Sequence, residues 1–173
     1  MLPTLRIATK NDSKEIADLV NRAYRPKSTE FGWTHEAKLV AGNRIAPEQV
    51  ARLFEGDSTV LMLLQGEHIV SCVNVAVEDS VANIGMLATE PRLQASGLGN
   101  QMMKHAELFA REVLGANMFK MSVLSARPEL IAFYERRGYV RTGEMQDYPV
   151  TAGVGKPLVN NLGIETLVKS SLA

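Results

Sequence analysis

Hydrophobic and polar positions repeat along this chain at two periods, and each switch between them marks an element. Thr4-Leu5-Arg6-Ile7-Ala8 alternates and predicts a first strand. Asp12 then stands as an N-cap with Glu15 three residues on, the spacing of a capping box. Ile16, Leu19, Val20, Ala23 and Tyr24 recur at helical spacing until Pro26 stops the run. Pro47 suits the first position of a short helix whose apolar side is Val50, Leu53 and Phe54 and which ends at Gly56-Asp57. Three apolar runs follow, Thr59 to Leu64, Ile69 to Glu78 and Val81 to Thr89, joined by the turns Gln65-Gly66-Glu67-His68 and Asp79-Ser80. Connections this short predict an antiparallel meander.

A long helix starting at Gly97 carries Leu98, Met102, Ala106, Phe109 and Ala110 on its apolar side, with Met103 as core filler. Lys104, Glu107, Arg111 and Glu112 lie opposite, and the spacing pairs Glu107 with Arg111 on a solvated face. Met118 to Leu124 predicts a further strand, and Pro128 starts a helix that runs to Arg137 and is closed by Gly138. Tyr139 to Glu144 and Leu162 to Lys169 predict the last strands. Between them residues 146 to 161 have no period and are expected to form a loop or flap.

Composition narrows the class. A chain of 173 residues is expected to be one domain over its whole length. Nineteen lysines and arginines balance nineteen aspartates and glutamates, so there is no nucleic-acid-binding excess of positive charge. No charged amino-terminal segment leads into an apolar run and no stretch reaches the length of a membrane span. The expectation is a soluble cytoplasmic protein without nucleic-acid or membrane partners. Cys72 is the one cysteine, which excludes an internal disulfide. Its strand-like flanks suggest a small buried hydrophobe, with a covalent acyl carrier as the alternative. No histidine pair has metal-ligand spacing, and no metal is expected.

Two stretches carry candidate chemistry. Gln94-Ala95-Ser96-Gly97-Leu98-Gly99 lies between a strand and a helix, and glycines one residue apart let backbone approach a ligand closely. The unsatisfied N–H groups of the helix start and the positive end of its dipole would hold an anion there, a phosphate first of all. Glycines that serve helix packing are the alternative. No Gly-Lys-Ser/Thr follows, and Asn100-Gln101-Met102 supplies no third glycine, so neither a nucleoside-triphosphate loop nor a dinucleotide fingerprint is present. The second stretch gathers Trp33, His35 and Glu36, then Gly42-Asn43-Arg44, in the least patterned part of the chain. It reads either as the lining of a substrate pocket or as a core-edge tryptophan with solvated neighbours.

Pro91 followed by Gln94-x-x-Gly97-x-Gly99 after a strand resembles the Q/R-x-x-G-x-G/A signature of the GNAT superfamily of N-acetyltransferases. Phe133-Tyr134-Glu135-Arg136-Arg137-Gly138-Tyr139 is similar to the family's second signature segment, and the two stand in the family's order. The resemblance covers roughly Thr4 to Tyr139. It implies a single-domain α/β (α+β) fold, a mixed, strongly twisted sheet of about seven strands with helices on both faces. It also implies acetyl-coenzyme A as acyl donor and a primary amine, of a small molecule or a protein, as acceptor.

Several residue roles come with it. Backbone and side chains of Gln94, Ala95, Ser96, Gly97, Leu98, Gly99 and Asn100 would surround the pyrophosphate. Leu87, Ala88 and Thr89 would meet the pantetheine arm and the thioester oxygen where this strand splays from Phe119 to Leu124. Tyr134 would give a proton to the departing thiolate. Trp33, His35, Glu36 and Arg44 would contact the acceptor, with Glu36 as general base; His35, Glu78 or a water chain are the alternatives. Arg127 stands where many relatives have an asparagine, and Arg136 and Arg137 are within reach of the adenosine phosphate. Direct transfer in a ternary complex is expected, with a non-catalytic acyl-coenzyme A binding module or a nucleotide-dependent enzyme as competing readings. An exposed strand near the carboxyl terminus would suit pairing in a homodimer.

Overall fold

Apolar runs such as Thr59 to Leu64 arise because the central strands are covered on both faces. In the computed structural model, which describes residues 1–26 and 36–172, the elements follow in chain order. They are β1 (Thr4–Ile7), α1 (Ser13–Tyr24), β2 (Val40–Ala41), α2 (Pro47–Leu53), β3 (Ser58–Gln65), β4 (His68–Glu78) and β5 (Val81–Thr89). Then come α3 (Leu98–Glu112), β6 (Met118–Leu124), α4 (Pro128–Glu135), β7 (Val140–Asp147), β8 (Lys156–Pro157) and β9 (Gly163–Ser170). Leu61 and Leu63 of β3 join the core formed with α3 and α4, while Val60 and Met62 join the core formed with α1 and α2. Alternation along one strand therefore feeds two cores, and burial on each side ties a helix layer to the sheet.

Seven strands form the main sheet in the order β1-β3-β4-β5-β6-β9-β7, with β5 and β6 parallel and the remaining neighbours antiparallel. The expected α/β fold of seven strands with helices on both faces is the observed one. The β5–β6 ladder holds only at Val81↔Met118, Ala82↔Phe119 and Asn83↔Lys120. Past Asn83 the two strands part. On its other side β5 slips register against β4 between Cys72 and Asn74, and Met86 sits there in a left-handed conformation at φ 55°. That bulge bends β5 just where it leaves β6.

Local details differ from the sequence expectations. The capping carboxylate is Asp12 acting one turn earlier: it accepts from the Thr9 N–H at 2.7 Å and the Thr9 hydroxyl at 3.1 Å, because a 3-10 turn over Lys10–Asp12 precedes α1. Glu15 instead accepts from the Ile69 N–H at 3.4 Å. Glu107 does not pair with Arg111. Strand β9 runs beside α3, so Glu107 takes Lys169 at 2.8 Å and the Tyr139 hydroxyl at 2.9 Å, while Arg111 turns to Glu112 at 2.8 Å. His68 begins β4 rather than ending the turn, and α2 stops at Leu53, ahead of Gly56.

Residues 146 to 161 are also not one irregular loop. Strand β7 continues to Asp147, and β8 pairs with β2 through Val40↔Pro157 and Ala41↔Lys156. A third apolar cluster of Val40, Leu124, Tyr148 and Leu162 packs beneath this small ribbon.

Candidate active site

Two cavities open where β5 and β6 separate. The first, of about 250 Å³, is bounded by the glycine turn, the start of α3 and the side of α4. Gly97 caps α3 at φ 89° and Ala95 stands at φ 66°, so the turn reverses twice in the left-handed region. The first residues of α3, Leu98, Gly99 and Asn100, have N–H groups with no acceptor inside the helix, and these groups face the turn. Of the residues expected to hold a donor, Leu87, Thr89, Gln94, Ala95, Gly97, Gly99 and Asn100 line this cavity. Ala88, Ser96 and Leu98 do not: Ala88 and Leu98 are buried in opposite cores, and the exposed Ser96 donates its hydroxyl to the Leu93 carbonyl.

Side chains in the turn are partly engaged within the protein. Gln94 Nε2 donates to the Thr89 carbonyl at 3.1 Å, and Asn100 Oδ1 accepts from Arg137 Nε at 2.9 Å. The Arg137 guanidinium also lies 3.3 Å above the Phe133 ring centroid, and burial holds its pKa below the ordinary value. A shallow groove next to this cavity is lined by Lys104, Arg136, Arg137 and Lys169 together with Glu107, which pairs with Lys169 at 2.8 Å.

Backbone direction along β5 follows from its pairing. Glu90 N–H donates to the Val70 carbonyl of β4 at 2.9 Å, so by alternation Leu87 and Thr89 present their N–H and C=O to the splayed side. The Leu87 carbonyl receives the Tyr24 hydroxyl there at 2.7 Å. Burial and the nearby Tyr134 raise the Tyr24 phenol far above its usual range, so it is a fixed donor.

The second cavity, of about 330 Å³, continues from the first toward β6 and the β2–β8 ribbon. Among the described residues the two cavities share Tyr24, Leu87, Leu130 and Tyr134. Tyr134 is buried on α4 against Phe133 and Tyr139 in edge-to-face contacts at 5.2 and 6.0 Å. Loss of solvent pushes its phenol up to about 12, and the positive charges of Arg127 and Arg137 oppose that rise.

Glu36 and Arg44 line the second cavity, and Glu36 is the one carboxylate among its described wall residues. Glu36 Oε1 accepts from Arg25 Nε at 3.0 Å and Nη2 at 2.7 Å, both side chains being buried. Arg25 further donates to the carbonyls of Gly42 at 2.9 Å and Val154 at 2.8 Å and to the Tyr148 hydroxyl at 3.1 Å. One guanidinium thus joins the end of α1 to the segment before β2 and to the stretch before β8. Trp33 and His35 lie outside the described residues. Glu78 closes β4 at an exposed position and lines neither cavity. Cys72 is fully buried with its thiol pushed up to about 12 by desolvation, which disfavours the thiolate an acyl carrier needs.

Sequence reasoning did not single out Arg25, Tyr148 or the catalytic-side position of Tyr24. Arg25 follows the last apolar residue of a helix and reads as a solvated end, and Tyr24 reads as one more member of the apolar stripe.

A glycine turn and a helix start with free N–H groups, opening at a splayed pair of parallel strands beside a second chamber, form an arrangement suited to a phosphate-bearing donor and a second substrate. Residues 29–148 match the acetyltransferase (GNAT) domain, and the chain belongs to that family of acetyl-coenzyme A-using N-acetyltransferases. Similarity extends to the S-(2-succino)cysteine N-acetyltransferase of Bacillus subtilis, 26% identical over 149 residues that cover 83% of this chain and 88% of that protein. Among solved structures, the ribosomal-protein-S18-alanine N-acetyltransferase of Escherichia coli superposes with a TM-score of 0.73 at 16% identity, covering 98% of this chain and 94% of that one. A spermidine N-acetyltransferase of Vibrio cholerae superposes with a TM-score of 0.69 at 13% identity, covering 97% and 95%. At these identities the two structures speak for the fold. Among the described residues no helix is long and apolar enough to cross a membrane.

Proposed function

We propose that the protein moves the acetyl group of acetyl-coenzyme A directly to a primary amine while both substrates are bound. The observation that carries this reading is the pair of cavities meeting at Tyr24, Leu87, Leu130 and Tyr134, with the glycine turn and the start of α3 on the first of them only. In this reading the glycine turn and the start of α3 hold the pyrophosphate, and the Lys104, Arg136 and Lys169 groove receives the outer phosphate. The pantetheine arm lies along the splayed edge of β5, pairing with Leu87 and Thr89 as a strand pairs with a sheet edge.

The amine nitrogen attacks the thioester carbonyl carbon and the C–S bond breaks. The Leu87 amide, directed into the splay, meets the carbonyl oxygen as it gains negative charge. Tyr134 gives its hydroxyl proton to the leaving thiolate, and the surplus amine proton passes to Glu36 or to water. A phenol raised to about 12 is fully protonated at neutral pH, so Tyr134 carries the proton it gives. Burial of Cys72 away from both cavities favours direct transfer over an acyl-enzyme.

The test follows thiol release from acetyl-coenzyme A against a set of primary amines. Amine-dependent release is expected, and Tyr134→Phe should lower turnover by roughly ten- to a thousandfold with donor affinity retained. Donor binding with no release in the presence of any amine would favour a binding module instead, and an unchanged rate in Tyr134→Phe would remove Tyr134 from the proton path.

A further inference from the structure

Among the described residues the second cavity is lined by one carboxylate and two guanidiniums, and the three are not equivalent. Glu36 is already bonded twice by Arg25. Arg127, at the start of α4, is buried and donates through Nε to Glu129 at 2.6 Å. Arg44 is half-buried, and no carboxylate of the described residues lies within ion-pair distance of it. Its guanidinium is held 5.7 Å from the centroid of the Tyr24 ring, one of the side chains at the junction of the two cavities.

The backbone that carries Arg44 is fixed from α1. Asn21 Oδ1 accepts from the N–H groups of Arg44 at 2.8 Å and Ile45 at 3.1 Å, and Asn21 Nδ2 donates to the Ile45 carbonyl at 2.8 Å. A single amide side chain therefore clamps two successive residues to a rigid helix, which fixes the backbone from which the Arg44 side chain reaches the wall.

We infer that the acceptor is an amine that also carries a carboxylate, as in an α-amino acid or its derivative, and that Arg44 binds that carboxylate. This rests on the acetyl-transfer reading above. A guanidinium fork matches a carboxylate in two parallel hydrogen bonds, and a half-buried position strengthens the pairing relative to water. A substrate whose only charges are ammonium groups finds no open carboxylate in the described wall and meets Arg44 as a like charge. With its carboxylate on Arg44, beside Tyr24, the acceptor has its amine one short carbon span from the junction where the thioester would lie. Arg44 is then a specificity-determining residue rather than a participant in the bond changes.

The experiment compares matched pairs in the thiol-release assay: L-methionine with 3-(methylthio)propylamine, and L-phenylalanine with phenethylamine, alongside spermidine. The carboxylate-bearing member of each pair should have the higher kcat/KM, by more than about tenfold. Arg44→Gln should raise KM for that member more than it lowers kcat and bring the ratio within a pair toward one, and Arg44→Lys should restore part of it. Titration of acetyl-coenzyme A into the same variants reads the first cavity, which Arg44 does not line. Higher kcat/KM for the decarboxylated amines or spermidine, or an unchanged ratio in Arg44→Gln, overturns the inference and leaves acetyl transfer standing. Turnover of the decarboxylated amines or spermidine with none of any carboxylate-bearing amine does the same, whereas donor binding with no turnover of any amine overturns acetyl transfer as well. Absence of both donor binding and turnover overturns the acetyl-transfer reading, and this inference with it.

Discussion

Tyr134 and Cys72 are both buried and both held in their neutral forms, and at the residue scale this has a consequence for stability. Desolvation raises the Tyr134 phenol to about 12 and the Cys72 thiol to about 12. In the unfolded chain these groups ionise near 10 and between 8 and 9 in round terms. Above about pH 8 the unfolded state therefore binds fewer protons than the native one, so stability is full below that pH and falls as pH rises toward the native values. For the thiol alone the loss is about 3 kcal/mol at about pH 10.5. Urea midpoints measured from pH 7 upward should fall for the wild type and fall less steeply for Cys72→Ala; equal slopes would mean that the thiol ionises as readily in the fold as in water. Tyr134 was legible as a helix-stripe residue from spacing, and as a proton donor only through the family resemblance. Arg25 was not legible, because its partners Glu36, Tyr148 and Val154 lie 11, 123 and 129 residues away and nothing local marks them.

At the element scale the residues that flank β2 and precede β8 line the second cavity, Glu36 and Arg44 on either side of β2 and Tyr148, Pro149 and Val154 ahead of β8, and β8 lies close against β2. Gly155, at φ 106°, is the residue that permits this approach. A Cβ there would lie 2.6 Å from the Ala41 carbonyl oxygen and 2.8 Å from Val40 Cγ1, and would collide with the Arg25 guanidinium. Gly155→Ala must therefore push the ribbon off Arg25 and disturb its buried pair with Glu36. Its expected cost is roughly 3 kcal/mol or more, with a raised KM for the acceptor. Gly66→Ala is the control, since Gly66 also has positive φ but nothing within 4 Å of the added carbon, and should cost only about 1 kcal/mol. Equal urea midpoints for the two variants would contradict the clamp. Two-residue strands have no period, which is why the sequence reads 146 to 161 as irregular. Strands β3 and β4 were legible because burial on both faces leaves long apolar runs, and β5 because its buried positions alternate with exposed ones at Asn83 and Gly85.

Across the whole molecule, one bend in the sheet opens both cavities. The bulge at Met86 and the end of the β5–β6 ladder at Asn83 open the gap, α3 brings its N-terminus to the first cavity, and Tyr24 of α1 stands at the junction with the second. The splay of β5 from β6 was anticipated through the family resemblance, carried by Pro91, Gln94, Gly97 and Gly99, and not from the periodicity of the strands. The division into two chambers was not, because it depends on where two strands part and on which side chains of α1 and α4 face the gap. The donor side is where the account is most exposed. Gly97 has open space around its missing Cβ, so a side chain there strains only the backbone, by about 1–2 kcal/mol, while reaching the anion cradle. Calorimetric titration of acetyl-coenzyme A into the wild type, Gly97→Ala and Gly97→Glu tests the claim most directly. The account predicts binding to the wild type and an affinity in Gly97→Glu more than about a hundredfold below that of Gly97→Ala, since a carboxylate would face the pyrophosphate. Equal affinities in the two variants would contradict it.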